Sequence, residues 1–335
     1  MRRAGEGWAE VADVGGHEST RVVALAGGVG GAKLAHGLVL AGLDERLSLV
    51  VNTADDFTLF GLHISPDLDT VMYTLAGLAN PETGWGLRGD SFAALEMIHR
   101  FGRDAWFWLG DKDLATHLLR SEALGHGDRI TAITEELRVA LGIAAAILPM
   151  ADEPVATMLR TSEGELDFQD YFVRRGHEDE VLGVRLAGIE SSTMTRAVAA
   201  ALESADVIVL CPSNPIVSIG PILAVPGFRD HLRGARVPVV AVSPIVGGQA
   251  LKGPADRMLA TLGHEVSAVG VAALYADFLD GLVIDVQDAA LAERVAGLGI
   301  AVHVTDTIMR DDDDRRCLAI ETLAFAARIE RRAAR

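Results

Sequence analysis

Residues 21–51 read RVVALAGGVGGAKLAHGLVLAGLDERLSLVV, and this stretch decides the fold. Arg21 to Ala26 is a short β-branched and apolar run, the pattern of a buried strand. It ends in Gly27-Gly28-Val29-Gly30-Gly31, after which Ala32 to Leu40 has helical spacing and a stop at Gly42. Leu47 to Val51 is a second apolar strand. Strand, glycine turn, helix and strand within about 30 residues make a βαβ unit and imply a parallel sheet.

Downstream, Asn52 to Pro66 reads as a polar loop, and Ser65, Asp67 and Asp69 are acidic or capping start signals for a helix from Asp67. Residues 90–142 predict three helices. Asp90, Asp111 or Asp113, and Asp128 or Thr131 start them; Gly102, Gly125 and Gly142 stop them. This block interrupts the strand–helix alternation and is expected to be a helical insertion at about 84–142. Strand patterns return from Ala145. Val155 to Arg160 and Leu166 to Arg174 predict an antiparallel pair joined by Thr161 to Gly164. Val207 to Leu210, Val237 to Val242, Val266 to Val271 and Leu282 to Asp285 then predict strands, with helices at about 193–204, 254–262 and 288–297. A last helix is expected from Arg315 to Arg332. No repeat or linker divides the chain, so one doubly wound α/β domain over 21–335 is expected. Residues 1–20 read as a disordered extension, because Glu6, Glu10 and Asp13 interrupt any apolar segment.

Half of the 335 residues are apolar, enough for a sizeable core. Cys211 and Cys317 lie far apart and fit neither a disulfide framework nor a zinc site, which suits a reducing cytoplasm. No run reaches the roughly 18 to 20 unbroken apolar residues of a membrane span. The net charge of −17 opposes a nucleic-acid partner. A phosphorylated small molecule stays open, since local amides, a few cations and a bound metal override the global field.

The turn holding Gly27, Gly28, Gly30 and Gly31 lets backbone approach a ligand, and the helix behind it offers free N–H groups to phosphate. Lys33 follows Ala32 and precedes Leu34, so this is no P-loop, and it stands where a dinucleotide fingerprint has its third glycine. A tight turn without a ligand is the plainer reading, but four glycines in five residues exceed what tightness needs. Asn52-Thr53-Ala54-Asp55-Asp56 lies at the carboxyl end of the second strand, where open α/β sheets place ligands. Asp55, Asp56, Asp67 and Asp69 can hold Mg²⁺ through two of their number, against the alternative of helix caps and a solvated acidic loop. Asp67 best fits a cap alone. Arg88, flanked by glycines, is a candidate anion clamp or a surface arginine over Trp85. Trp106, Phe107 and Trp108 fit either a ring-stacking surface or the core face of a short strand. No histidine pair has ligand spacing, and no Ser–His–Asp set has an anchor. Pro212-Ser213-Asn214-Pro215 and Ser243-Pro244 each follow a strand and join the same crevice, with Lys252-Gly253 just before a helix.

Together, GGVGGAKL, NTADDF, GLHISPDLDTVMYTLAG, GWGLRGD, GDKDLATHLLR, PSNPIVSIGPILAVPG and SPIVGGQALKGPADRM span about residues 21 to 260. In that order they resemble the 2-phospho-L-lactate transferase family of coenzyme F-420 biosynthesis. The resemblance implies a three-layer Rossmann-like sandwich with a helical insertion, a homodimer and a need for Mg²⁺. It implies transfer of a phosphoenolpyruvyl or 2-phospho-L-lactyl group from a guanosine diphosphate-linked donor to the deazaflavin Fo, with GMP leaving. By position, the turn from Gly27 to Gly31, with Lys33, would meet donor phosphates. Asp55, Asp56 and Asp69 would be metal or acceptor-hydroxyl carboxylates. Arg88 would meet Fo or the transferred phosphate, and Asn52, Ser213, Asn214 and Ser243 would border the nucleotide. Ala54 stands where the family has glycine, which alters loop freedom and removes no ligand. Two rivals remain. One is a nucleotide-sugar-binding regulator resembling the gluconeogenesis-factor proteins. The other is a NAD-dependent dehydrogenase, which would want glycine near 33 and an acidic residue where Asn52 stands.

Overall fold

The structure is a computed structural model and describes residues 19–162, 164–176 and 180–329. The expected N-terminal extension lies outside these up to residue 18, as does the basic tail of the last helix beyond residue 329.

The opening βαβ unit forms as the sequence predicts: β1 (Val22–Ala26), α1 (Gly28–Leu40) and β2 (Leu47–Val51). The loop read as irregular after β2 holds a hairpin, β3 (Phe57–Leu59) and β4 (Leu62–Ile64). Its two-residue turn, Phe60-Gly61, has φ of 53° and 81°. That turn geometry usually announces itself as Asn-Gly, and phenylalanine disguised it. Then come α2 (Pro66–Leu75), α3 (Ala93–Arg100), α4 (Asp113–His126) and α5 (Ile130–Ala140), with β5 (Ala146–Pro149) behind them.

A small antiparallel sheet follows from β6 (Ala156–Thr161), β7 (Gly164–Asp167) and β8 (Val181–Ala187), in the order β7-β6-β8. The expected pairing of β6 with β7 is present. The strand expected up to Arg174 stops at Asp167, and Asp170–Arg174 coils into a π-helical turn. Phe168 and Tyr171 there bury against Leu159 and Val217. Tertiary packing, which strand alternation cannot register, ends the strand.

The second half contains α6 (Arg196–Ser204), β9 (Val207–Leu210), α7 (Ile219–Ala224), α8 (Phe228–Gly234) and β10 (Val239–Val242). A short hairpin, β11 (Ile245–Val246) and β12 (Gln249–Ala250), leads to α9 (Ala255–Thr261) and α10 (Ala268–Tyr275). The run Val266 to Val271, expected as a strand, opens α10 instead. Ser267 caps it, accepting from the Val269 and Gly270 N–H groups, and its apolar residues are buried around nearly the whole circumference. An all-round buried helix and a buried strand share one apolar signature over so short a run. The chain closes with β13 (Gly281–Asp285), α11 (Ala292–Ala296), an unforeseen edge strand β14 (Ala301–Thr305) and α12 (Asp312–Ala326).

Seven strands pair in the order β14-β13-β10-β9-β1-β2-β5, every pair parallel. Alternation along β1 sends Val22, Ala24 and Ala26 into a core shared with α1, α2 and α12. Val23 and Leu25 enter a second core with α6, α7, α8 and α10. Helices thus cover both faces, giving three layers. From β1 the chain winds outward through β2 to β5, then returns to lay β9 on the other side of β1. That reversal makes a switch point between β1 and β9, the crevice where open α/β sheets bind ligands at the carboxyl ends of their strands.

Candidate active site

Four loops leave the carboxyl ends of β1, β2, β9 and β10. The first two neighbours of the switch point are tied directly: the Gly27 N–H donates to Ser213 Oγ at 3.1 Å. A Cβ on Gly30 would stand 2.3 Å from the Pro212 carbonyl oxygen, and one on Gly31 2.5 Å from Ser213 Oγ. Glycine here lets the β9 loop seat itself against the start of α1. Gly28 has φ of 62°, a left-handed conformation that side chains disfavour. Its N–H donates to Asp67 Oδ1 at 2.7 Å.

Asp67, expected as a cap, therefore does not cap its own helix, whose N-cap position is Ser65. It reaches back to the glycine turn, and its Oδ2 accepts from Asn52 Nδ2 at 3.0 Å. The Asn52 amide also donates to the Val217 carbonyl, and its Oδ1 accepts from the Ala54 N–H. One buried asparagine thus joins the loops of β2 and β9. Asn214 shapes the latter, its Oδ1 accepting from the Ile216 N–H at 2.9 Å.

Asp55 and Asp56 lie largely buried on the loop after β2, with Asp67 a close neighbour. Each has a buried Oδ1 with no hydrogen-bond partner. The other oxygen of Asp56 accepts from Ser65 Oγ at 2.7 Å and from His63 Nε2 at 2.9 Å. Burial raises the Asp55 carboxyl well above the ordinary range, and the neighbouring Asp67 raises it further. Burial also raises Asp56, with His63, Ser65 and Arg120 opposing. Asp67 is raised to about 6, chiefly by burial, against the pull of its two donors. A group of acids that resists ionising together marks a place built for a cation or a shared proton.

Folded Asp67 keeps its proton up to about pH 6, whereas the unfolded chain releases it near pH 4. Its contribution to stability is complete below the unfolded value and is lost as pH rises through about 6, by roughly 3 kcal/mol for a shift of this size. Denaturant titrations in chelator should show stability falling between about pH 4 and 6.5, with a shallower fall in Asp67→Asn. An equal fall in both would contradict this assignment.

Asp69 lies apart. Both its oxygens are bound by the guanidinium of Arg120, from α4, with Nη1 to Oδ2 at 3.0 Å. His117 Nδ1 is 3.7 Å from the same Oδ2, and Tyr73 donates to Asp113 Oδ1 at 2.6 Å. Asp69, Asp113 and His117 each offer an atom within 4.8 Å of the others. The buried guanidinium already supplies the positive charge there, which disfavours a second cation.

The remaining sequence candidates sit at the rim or beneath it. Arg88 is exposed, and its guanidinium has no partner among the described residues. Its loop crosses the mouth of the crevice, because Lys252 Nζ donates to the Thr83 carbonyl at 2.6 Å and Gly84 lies against Val29 of the glycine turn. Lys33 is half-buried and donates to the Met309 carbonyl at 2.8 Å, and burial lowers its pKa, helped by Arg315 and Lys252. The Ser243 hydroxyl is spent on a local turn with Ile245. Trp106 and Phe107 pack on Phe57 in a small satellite core, and Trp108 is exposed beside Phe92. His63 and Arg120 are the site neighbours that sequence reasoning misses. For His63 the signal was the concealed hairpin, which folds residue 63 back beside residue 56.

The chain matches the family described as 2-phospho-L-lactate transferase CofD over residues 22–321. It is 42% identical to the phosphoenolpyruvate transferase of Streptomyces griseus over 315 residues, 92% of this chain and 99% of that protein. It is 40% identical to the 2-phospho-L-lactate transferase of Methanosarcina acetivorans over 298 residues, 89% of this chain and 96% of that one. A UPF0052-family protein from Bacillus halodurans shares the fold, with a TM-score of 0.58 over 87% of this chain and 93% of its own at 16% identity. These matches define an enzyme that transfers a phosphate-containing group. The chain belongs to the CofD family. No helix among the described residues is long and apolar enough to cross a membrane.

Proposed function

We propose that this enzyme moves a phosphoenolpyruvyl or 2-phospho-L-lactyl group from a guanosine diphosphate-linked donor to the deazaflavin Fo in coenzyme F-420 biosynthesis, releasing GMP, in the cytoplasm and as a homodimer. The observation that carries the reading is the pair of buried, unpartnered Oδ1 atoms of Asp55 and Asp56 on the loop after β2, at the sheet edge where the glycine turn opens α1. Relatives named for each of the two groups support both donors equally.

The residues fit Mg²⁺: two carboxylates each keep one buried, hard Oδ1 atom without a hydrogen-bond partner. Asp55 and Asp56 would hold it, and bound there it would supply neutralising charge for the donor's diphosphate. The first turn of α1 binds donor phosphate through backbone N–H groups, with no side chain needed. The Ser213–Asn214 loop, fixed to that turn, borders the nucleotide. Arg88 and Lys252 bring positive charge to the mouth, where the transferred phosphate and the acceptor arrive. The terminal hydroxyl of the Fo side chain attacks the phosphorus bearing the three-carbon acid, and the bond from that phosphorus to the GMP oxygen breaks. The hydroxyl proton passes to a carboxylate at the site. Phosphoryl-type transfer asks for little more than such positioning and charge.

Mass spectrometry of Fo incubated with the enzyme, Mg²⁺ and each donor in turn tests this. A product heavier by one phospho-acid unit, with equimolar GMP, is expected. Donor binding with no product from either would point instead to a regulator of the gluconeogenesis-factor type.

A further inference from the structure

We infer that His63 is a positioning residue for Asp56: together with Ser65 it fixes one carboxylate oxygen, so that the other is presented to a divalent cation. The inference rests on the magnesium reading above. Asp56 Oδ2 accepts two hydrogen bonds, from Ser65 Oγ at 2.7 Å and His63 Nε2 at 2.9 Å, while the buried Oδ1 accepts none.

The two donors belong to a braced frame. His63 lies in β4, and its backbone N–H donates to Ser121 Oγ of α4 at 2.7 Å. That hydroxyl donates in turn to the His117 carbonyl at 2.6 Å. Arg120, the residue before Ser121, is fully buried and pins α4 to α2 through both oxygens of Asp69. Hairpin and helix therefore hold the imidazole before any ligand arrives. A free carboxylate offers either oxygen and loses rotamer freedom on binding, whereas this one has already lost it. Outer partners of ligating groups act in this way, orienting them and raising affinity by about 10- to 100-fold. The side chain of His63 is about one-third exposed, at 32%, so its removal opens no core cavity.

The test is isothermal titration of the full chain with Mn²⁺ and Mg²⁺, alongside thermal melts in chelator. His63→Ala should weaken binding by about 10- to 100-fold with an unchanged melt. His63→Gln, which places an amide N–H within reach of the same oxygen, should recover most of the loss. Ser65→Ala should weaken binding as well. Binding by His63→Ala equal to wild type, or equal losses in His63→Ala and His63→Gln, overturns the positioning role and leaves the metal reading standing. No saturable binding by the wild-type chain overturns that reading and this inference with it.

Discussion

Asp56→Asn is expected to lower turnover by roughly two to four orders of magnitude while the fold survives. An asparagine in the same rotamer keeps a carbonyl oxygen where Oδ2 accepts from Ser65 and His63, so the local hydrogen bonds persist. What disappears is the charge and the unpartnered oxygen at Oδ1. Burial already penalises that charge, so its loss should not destabilise the chain lacking metal. Steady-state kinetics beside a denaturant titration separate the two effects. Near-wild-type turnover would remove Asp56 from the chemistry.

Asp69→Asn has the opposite profile. Sequence spacing places Asp69 with Asp55 and Asp56, but its carboxylate neutralises Arg120, which is fully buried. Removing one partner of a buried ion pair leaves an uncompensated charge and costs about 3 to 5 kcal/mol. The expected result is a large drop in stability, with activity lost in step with the folded fraction. The double replacement Asp69→Leu with Arg120→Met removes both charges and should recover much of the stability, since apolar substitutes for buried pairs are often tolerated. Wild-type stability in Asp69→Asn accompanied by lost metal binding would make Asp69 a ligand after all.

The contrast between these two aspartates shows what a sequence conveys. Residues 21–51 sufficed for a parallel doubly wound sheet, because glycine, strand and helix signals there agree and no distant contact is needed to interpret them. Site loops at β1, β2 and β9 were legible for the same reason: each follows a strand whose apolar run is plain. Asp69 and Asp56 look alike in the chain, and only a partner 51 residues away, on α4, separates them. His63 was hidden by a Phe-Gly turn lacking the usual turn residues. Lys33 offered a charge next to the glycines, yet its ammonium bonds the Met309 carbonyl 276 residues away. Asp67 went the other way: it reads as a helix cap, and it accepts a hydrogen bond from the glycine turn itself.

On the proposed function, one crevice at the carboxyl edge of β1, β2 and β9 holds both the donor diphosphate and the cation. A crystal structure with GDP and Mn²⁺, with anomalous scattering locating the metal, tests it most directly. The diphosphate is expected over the first-turn N–H groups of Val29 and Gly30, the Gly28 N–H being held by Asp67, with a manganese peak at the Oδ1 atoms of Asp55 and Asp56. A manganese peak at Asp69, Asp113 and His117, or a diphosphate bound away from the glycine turn, would contradict it.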